Sequence, residues 1–169
     1  MRGSTAGLLL AVALSTAFAF VSSGPAGAQE KKGDADLSAQ LDRIGLKYTV
    51  TKAGNYSIDY DLDGGRSQTV YIMGSTEKVD STEVRELWSR AGTFKDVPTA
   101  DQMQNLLEES GSKKIGFWAL EESDSGGYTV YFSVKVPTYL KDDDLSSLLE
   151  YVANISDEKE KELFNSDDE

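Results

Sequence analysis

The sequence predicts an α+β domain in which antiparallel hairpins lie between helical segments. Residues 55–72 and 114–136 alternate apolar and polar side chains, and each stretch has a glycine pair near its centre, as in a β-hairpin. Residues 37–44 and 145–152 instead place apolar side chains three and four positions apart, which is the spacing of an amphipathic helix. A chain of this length suits a single domain with one hydrophobic core.

The first helix is predicted to follow a disordered polar leader, residues 29–36. Leu37, Leu41 and Ile44 recur at helical spacing, and Gly45 can end the helix in a left-handed conformation. A strand, a turn and a second strand come next. Residues 53–55 mark either a bulge or a tight turn within the first limb.

The first hairpin begins like an EF-hand calcium loop, with suitable residues at Asp59, Asp61, Asp63 and Gly64. Such a loop needs a bidentate Glu at its twelfth position, and that position is Val70. Because the aspartates alternate with apolar residues, we interpret them as the solvent-exposed face of a strand. We expect no metal site and no other cofactor, with a weak adventitious calcium site as the alternative.

Residues 80–94 fit two patterns. Val84, Leu87 and Trp88 have helical spacing, with a cap at Asp80, whereas Val84, Glu86 and Trp88 alternate as in a strand. The pattern count favours a helix for this segment.

The second half of the chain has clearer boundaries. Thr99 and Gln102 predict a capping box at the start of a helix that Gly111 is expected to end. A second hairpin follows around residues 123–127, and Pro137 ends it. A long final helix then begins at an acidic run and carries one apolar stripe, formed by Leu145, Leu148, Leu149 and Val152.

The first 28 residues are predicted to be a secretory signal. Arg2 precedes an apolar core at residues 8–21, and small residues end the segment. A membrane anchor is the alternative, but this core is shorter than the ~20 residues that a spanning helix needs. We therefore expect cleavage after Ala28, a periplasmic or secreted product, and no membrane insertion after cleavage.

Charge and composition exclude several classes of function. The chain has 17 Lys and Arg against 29 Asp and Glu, a net charge of −12 that repels nucleic acid and anionic lipid. It has no His and no Cys, so the usual zinc sites, the Ser-His-Asp triad and thiol catalysis are excluded. A hydrolase that uses two carboxylates stays open as an alternative, although no acidic pair stands out.

Several motifs occur in an order that resembles one known family. They are "GRSQTV" at 65–70, "WSRAG" at 88–92, "LL" at 106–107, "KIGFWAL" at 114–120, "VKVP" at 134–137 and "LLEYVANISDEKEKEL" at 148–163. In this order and spacing the chain resembles the YbjN-like family, whose fold is similar to that of type III secretion chaperones.

The resemblance implies one antiparallel five-stranded sheet flanked by helices, in the order α-β-β-β-α-β-β-α. It places a strand at residues 83–90, against the helical pattern count, and a single domain at 37–165 before an acidic tail at 166–169. It also implies binding and no catalysis, since the family has no established catalytic residues.

The strand at 114–120 is apolar on both faces and suggests a surface for a partner. We assign Phe117 to the inner face and Trp118 to the outer face beside Tyr131, with Tyr71 and Met73 nearby. Exposed aromatic side chains of this kind anchor protein partners. The alternatives are that the final helix or a second copy of the chain covers this face.

Arg66 and Gln68 are further candidates for contact with a partner. Their alternative role is structural, because an inward Gln satisfies backbone groups and an Arg beside a turn meets carboxylates such as Asp63. The sequence favours the structural role for both residues.

The sequence as a whole predicts an exported, non-catalytic, protein-binding or chaperone-like module. It would act through a sheet face on a protein partner or by self-association, for which a homodimer is one form. The alternatives are a carboxylate-based hydrolase and a structural envelope protein.

Overall fold

A computed structural model describes residues 32–123 and 126–165. The predicted signal at 1–28 and the acidic tail at 166–169 lie outside these residues. The described elements, in chain order, are α1 (Ala35–Ile44), β1 (Thr49–Val50), β2 (Tyr56–Asp61), β3 (Ser67–Ile72), β4 (Glu77–Val79), β5 (Thr82–Phe94), α2 (Ala100–Ser112), β6 (Phe117–Glu122), β7 (Tyr128–Pro137) and α3 (Asp142–Leu163).

The seven strands form one antiparallel sheet in the order β1-β2-β3-β5-β7-β6, with β4 paired to the start of β5. The five longer strands, β2, β3, β5, β6 and β7, match those that the family resemblance implies. The prediction of an antiparallel sheet flanked by helices is confirmed. The predicted number of five strands was wrong, because β1 and β4 add two short ones. A tight turn, in which Thr51 N donates to Asn55 O at 2.7 Å, separates β1 from β2.

The segment in which the pattern count favoured a helix is strand β5, so that prediction was wrong. Leu87, Ser89 and Ala91 are fully buried on one side of β5, and Glu86 and Trp88 are half-buried on the other. The helical spacing arose because Trp88 is a large apolar side chain on the solvent side of a strand. The strand that the resemblance implied at 83–90 is confirmed.

The three helices contribute to a core on one face of the sheet. Leu37 of α1, Leu106 of α2 and Leu149 of α3 belong to the same buried cluster as alternate residues of the strands. The strand residues of this cluster are Tyr56, Ile58, Val70, Ile72, Leu87, Ala91, Trp118, Val130, Phe132, Val134 and Val136. The opposite face carries residues of the other parity, most of them partly exposed, and is called here the open face.

Helix α1 begins inside the segment predicted to be a disordered leader. Asp34 caps it by accepting from Asp36 N at 2.9 Å and Leu37 N at 3.2 Å, which satisfies backbone donors of the first turn. The Asp34 carboxylate also accepts from Arg85 Nη2 of β5 at 2.5 Å. Gly45 ends α1 in the left-handed conformation that the sequence predicted.

Helix α2 has the predicted capping box between Thr99 and Gln102. The prediction that Gly111 ends this helix was wrong. Gly111 lies within α2, which continues to Ser112, and the Lys113 N–H still donates to Glu109 O at 3.0 Å.

Arg66, at the end of the β2–β3 turn, binds α3 to the sheet. Its Nε donates to Asp157 Oδ1 at 2.5 Å and its Nη2 donates to Glu160 Oε2 at 2.8 Å. Asp157 is 4% exposed and Glu160 is 1% exposed. Because burial removes water from both carboxylates, each needs a cationic partner to compensate for the lost hydration. Lys161 also pairs with Asp157 at 2.5 Å.

These contacts make the pKa of Asp157 lower than its ordinary value. Burial acts to raise this pKa, but hydrogen bonds from Lys161 and Arg66 outweigh the effect of burial. Because the folded-state pKa is depressed, the ionised carboxylate stabilises the fold above about pH 4. That contribution is lost as the pH falls through the folded-state pKa.

Asp157→Asn is therefore expected to lower the free energy of unfolding by ~1 to 3 kcal/mol at pH 7, because it removes charge-assisted hydrogen bonds from a buried site. The difference from the unmodified protein should shrink toward pH 3. Chemical denaturation at both pH values measures it. Glu158→Gln, on an exposed position of the same helix, is the control and should cost less than ~0.5 kcal/mol. Equal effects of the two substitutions at pH 7 would contradict the anchoring role of Asp157.

The β2–β3 turn has φ of +81° at Gly64 and +76° at Gly65. Gly64→Ala and Gly65→Ala should each cost ~1 kcal/mol of stability, because side chains with a Cβ are disfavoured in this region. Gly111→Ala is the matched control. Nothing lies within 4 Å of the added Cβ there, so it should leave stability unchanged or raise it by up to ~1 kcal/mol. Denaturation curves in which all three variants behave alike would refute this account of the turn.

Candidate functional site

Three aromatic side chains cross the middle of the open face and are called here the aromatic row: Tyr71 on β3, Trp88 on β5 and Tyr131 on β7. The rings of Tyr71 and Trp88 are stacked, with centroids 4.3 Å apart and planes at 17°. Trp88 and Tyr131 pack edge to face, with ring centroids 5.7 Å apart and an angle of 64° between the ring planes. All three side chains are partly exposed, so the row offers a continuous aromatic surface to solvent.

The register of the central strands produces this row. Tyr71 lies directly opposite Trp88 across the β3–β5 pair. Trp88 lies opposite Ser133 in the β5–β7 pair, so Tyr131 is its diagonal neighbour. Side chains in direct and diagonal positions of an antiparallel pair are close enough for aromatic rings to touch.

An open groove of about 470 Å3 lies over Trp88 and Tyr131. Glu86, Glu121 and Glu122 contribute to its lining, and this feature is called here the acidic groove. Among the described residues that line it there is no Lys or Arg. The groove therefore combines an aromatic floor with three carboxylates.

Two of these carboxylates act on Tyr131. The pKa of the Tyr131 hydroxyl is raised, first by partial burial and then by the negative charges of Glu121 and Glu86. Glu86 is held in place because its Oε1 accepts a hydrogen bond from Ser133 Oγ at 2.5 Å. The Glu86 carboxylate is therefore held by a hydrogen bond at a position from which its negative charge acts on Tyr131.

Two of the predicted partner-binding residues, Tyr71 and Tyr131, meet in the aromatic row. The predicted orientation of Trp118 was wrong. Trp118 is 6% exposed and packs against Phe132 on the helix-covered face, with centroids 5.1 Å apart. Phe117, which the sequence analysis assigned to the inner face, is 41% exposed.

Helices α2 and α3 both cover Trp118. Its Nε1 donates to Glu109 Oε2 of α2 at 3.1 Å, and Lys159 Nζ of α3 lies 5.8 Å from the ring centroid. This arrangement agrees with the alternative in which a helix covers Trp118. Whether Trp118 also contacts a partner stays a prediction, without support from this geometry.

The error in orientation came from a strand that is apolar on both faces. The second hairpin pairs Glu122 with Tyr128, and counting back from that pair places Trp118 opposite Phe132. Directly opposed residues share a face, so a count from the turn would have assigned Trp118 to the core.

Trp88 is the member of the row that the sequence analysis missed. The pattern count alone favoured a helix for its segment, the family resemblance placed a strand there, and Trp88 was not among the predicted partner-binding residues. The alternation of Val84, Glu86 and Trp88 contained the correct signal, since it places Trp88 beside a carboxylate on a solvent face.

Arg66 and Gln68 lie apart from the aromatic row and join elements of this domain. Gln68 is fully buried, and its Nε2 donates to Ser89 Oγ at 2.8 Å and to the Arg90 carbonyl. Arg66 joins the turn to α3, as described above. These contacts match the structural alternative, and a role of either residue in partner binding stays a prediction.

The geometry gives little support to the hydrolase alternative. A second pocket of about 420 Å3 contains Asp34, Asp36 and Glu83 together with Arg43 and Arg85. A carboxylic acid that protonates a leaving group needs a raised pKa. Burial acts to raise the pKa of Asp34, but the hydrogen bonds from Arg85 and from the Leu37 and Asp36 backbone, with the charge of Arg85, outweigh burial and lower this pKa.

Two further features bear on function within the described residues. No group of three or more acidic residues there has the arrangement of a metal site. None of the helices in the described ranges is both long and apolar enough to cross a bilayer.

Comparison with known proteins finds a weak likeness among solved structures. No protein-family model matches the chain, and no curated protein matches it. Among solved structures, the chain is similar to the crystal structure of YbjN from E. coli, with 11% sequence identity and a TM-score of 0.44. The similarity covers 73% of this chain and 82% of that chain. At this score the likeness does not establish a common fold, so the family relation stays a prediction.

The two tryptophans should respond differently to truncation. Trp118→Ala is expected to lower the free energy of unfolding by ~3 to 5 kcal/mol, because it empties a buried site under two helices. Trp88→Ala removes a half-exposed ring and its stacking, and should cost only ~1 to 2 kcal/mol. Urea denaturation followed by circular dichroism measures both. A larger loss for Trp88→Ala than for Trp118→Ala would contradict the assignment of the two faces.

Proposed function

We propose that this domain is a non-catalytic protein-binding module that uses the open face of its sheet. The observation that carries the proposal is the aromatic row of Tyr71, Trp88 and Tyr131. Tyr and Trp are the residue types most often found as energetic anchors of protein interfaces. The three described helices contribute to the core on the other face, so none of them occupies the aromatic row and a partner can reach it.

The row is also suited to binding because it is already ordered. The stacked and edge-to-face ring contacts restrict the side chains, and the backbone beneath them belongs to the central strands of the sheet. A surface that loses little conformational freedom on association keeps more of its contact energy as affinity.

A foreign partner suits this face better than a second copy of the chain. A symmetric dimer through the open face would bring two acidic grooves together in a chain with a net charge of −12. Like charges across an interface cost several kcal/mol. Self-association is therefore the second candidate, and the structural envelope role is the third.

We also propose that the protein acts outside the cytoplasm, in the periplasm or after secretion. The support for this location is the pattern of residues 1–28, with its apolar core and small terminal residues. The binding role of the open face does not depend on this location.

Site-specific photocrosslinking in cells that make the protein tests the binding role. A photoreactive phenylalanine analogue at position 71 or 131 should give adducts with a second, different protein. The control position is Tyr139, which is 75% exposed in the connection between β7 and α3. With the captured protein purified, Trp88→Ala should weaken binding by ~2 kcal/mol, as loss of an interface anchor does.

The result that contradicts the proposal is an equal yield of adducts from position 139 and from the open face. Adducts that contain only a second copy of this chain would favour self-association. Unchanged affinity of Trp88→Ala for the captured protein would remove the aromatic row from the interface.

A further inference from the structure

We infer that the acidic groove binds an arginine side chain from a basic segment of the partner. The inference rests on the proposed function, and it adds the chemistry of the partner at one site on the open face. The inference follows from the presence of both an aromatic floor and carboxylates in one groove, since neither feature alone would identify the ligand as a cation.

The floor of the groove can bind a cation through its π faces. Trp88 and Tyr131 are half-buried, and their rings are fixed by contact with each other. A cation over a Trp or Tyr ring is attracted by the ring quadrupole, and the attraction strengthens when water is excluded. An apolar ligand would also fit an aromatic floor, so the charges decide between the two.

Among the residues that the structure describes, the charged side chains that line the groove are all acidic. Glu86, Glu121 and Glu122 line the groove, and two of them lie close enough to Tyr131 to raise the pKa of its hydroxyl, in addition to the effect of burial. Lys135, the cross-strand partner of Glu86, is paired with Glu77 at 3.4 Å. Arg90 lies opposite Tyr131 but does not line the groove.

Arginine fits this combination better than lysine. The planar guanidinium can lie against the aromatic floor while its N–H groups donate to carboxylates at the edge of the plane. The ammonium of lysine is compact and strongly hydrated, so it loses more on leaving water for the same contacts. A groove of about 470 Å3 has room for such a side chain with part of its backbone.

Other occupants fit the groove less well. Nucleic acid and anionic lipid carry the same sign of charge as the groove. A second copy of this acidic chain would place carboxylates against carboxylates. A wholly apolar segment would desolvate the carboxylates of Glu86, Glu121 and Glu122 without supplying a cation to compensate, which is costly.

Calorimetric titration with defined peptides tests the inference on the protein as purified from cells. The probe is an acetylated, amidated pentapeptide, Gly-Arg-Gly-Arg-Gly. Its control carries citrulline in place of each arginine, which keeps the shape and removes the charge. We expect the arginine peptide to bind at least about tenfold more tightly than the citrulline peptide.

A matched pair of double variants separates the groove from the general acidity of the chain. Glu121→Gln with Glu122→Gln removes two negative charges from the groove. Asp143→Asn with Asp144→Asn removes two from an exposed turn at the start of α3. The first variant should weaken arginine-peptide binding by about tenfold and the second by less than about twofold.

Trp88→Leu tests the aromatic floor with all carboxylates kept, and should also weaken binding by about tenfold. Circular dichroism confirms that this variant is folded before titration. If it is not folded, Tyr131→Leu takes its place. Equal losses for the two double variants, or equal binding of the citrulline peptide, would overturn the inference.

Failure of this inference can be told apart from failure of the proposed function. If crosslinks from positions 71 and 131 capture a partner whose contacting segment has no arginine, the inference is wrong and the proposed function stands. If those positions capture no partner, the proposed function itself is wrong.

Discussion

The pairing of β5 with β7 is the constraint on which the rest of the structure depends. Side chains alternate along a strand, so a single register decides which residues enter the core and which face solvent. This register places Leu87 opposite Val134 and Ser89 opposite Phe132, all on the helix-covered face. The same register places Trp88 and Tyr131 on the other face as diagonal neighbours. A shift of one residue would bury the aromatic row and expose the core, so stability and binding surface are fixed together.

Polar contacts on the covered face explain why the longest helix packs there. Arg66 at the β2–β3 turn pairs with two carboxylates of α3, and Ser156 Oγ of α3 donates to Ser89 O of β5 at 3.2 Å. Buried charges of this kind contribute little net stability, but a wrong arrangement would leave them unpaired at high cost. These polar contacts therefore specify that α3 packs on the covered face, and the open face stays in contact with solvent. The proposed binding surface is a consequence of where these anchors lie.

The sequence predicted the elements whose signals are local. Gly45 and the Thr99–Gln102 capping box marked the end of α1 and the start of α2, since each depends on a few neighbouring residues. It failed where a large apolar residue lies on the solvent side of a strand. Trp88 next to Leu87 gave β5 a helical spacing, and Phe117 next to Trp118 left the core side of β6 ambiguous. Strands β1 and β4 are too short to give a periodic signal. The sequence therefore predicted Tyr71 and Tyr131 of the aromatic row but not Trp88. An exposed aromatic residue such as Trp88 forms the site and also obscures the strand pattern.

The wide sequence separation of β5 and β7 has a consequence for the order of folding. Their paired residues lie far apart in the chain, from Phe94 and Tyr128 at one end to Val84 and Pro137 at the other, with all of α2 and β6 between. Contacts of this kind form late, since the intervening chain must lose entropy before they stabilise anything. The β2–β3 hairpin can form earlier, but it holds only Tyr71 of the aromatic row. A chain that has not completed its central pairing therefore has no assembled row, and recognition of a partner becomes a property of the finished fold alone.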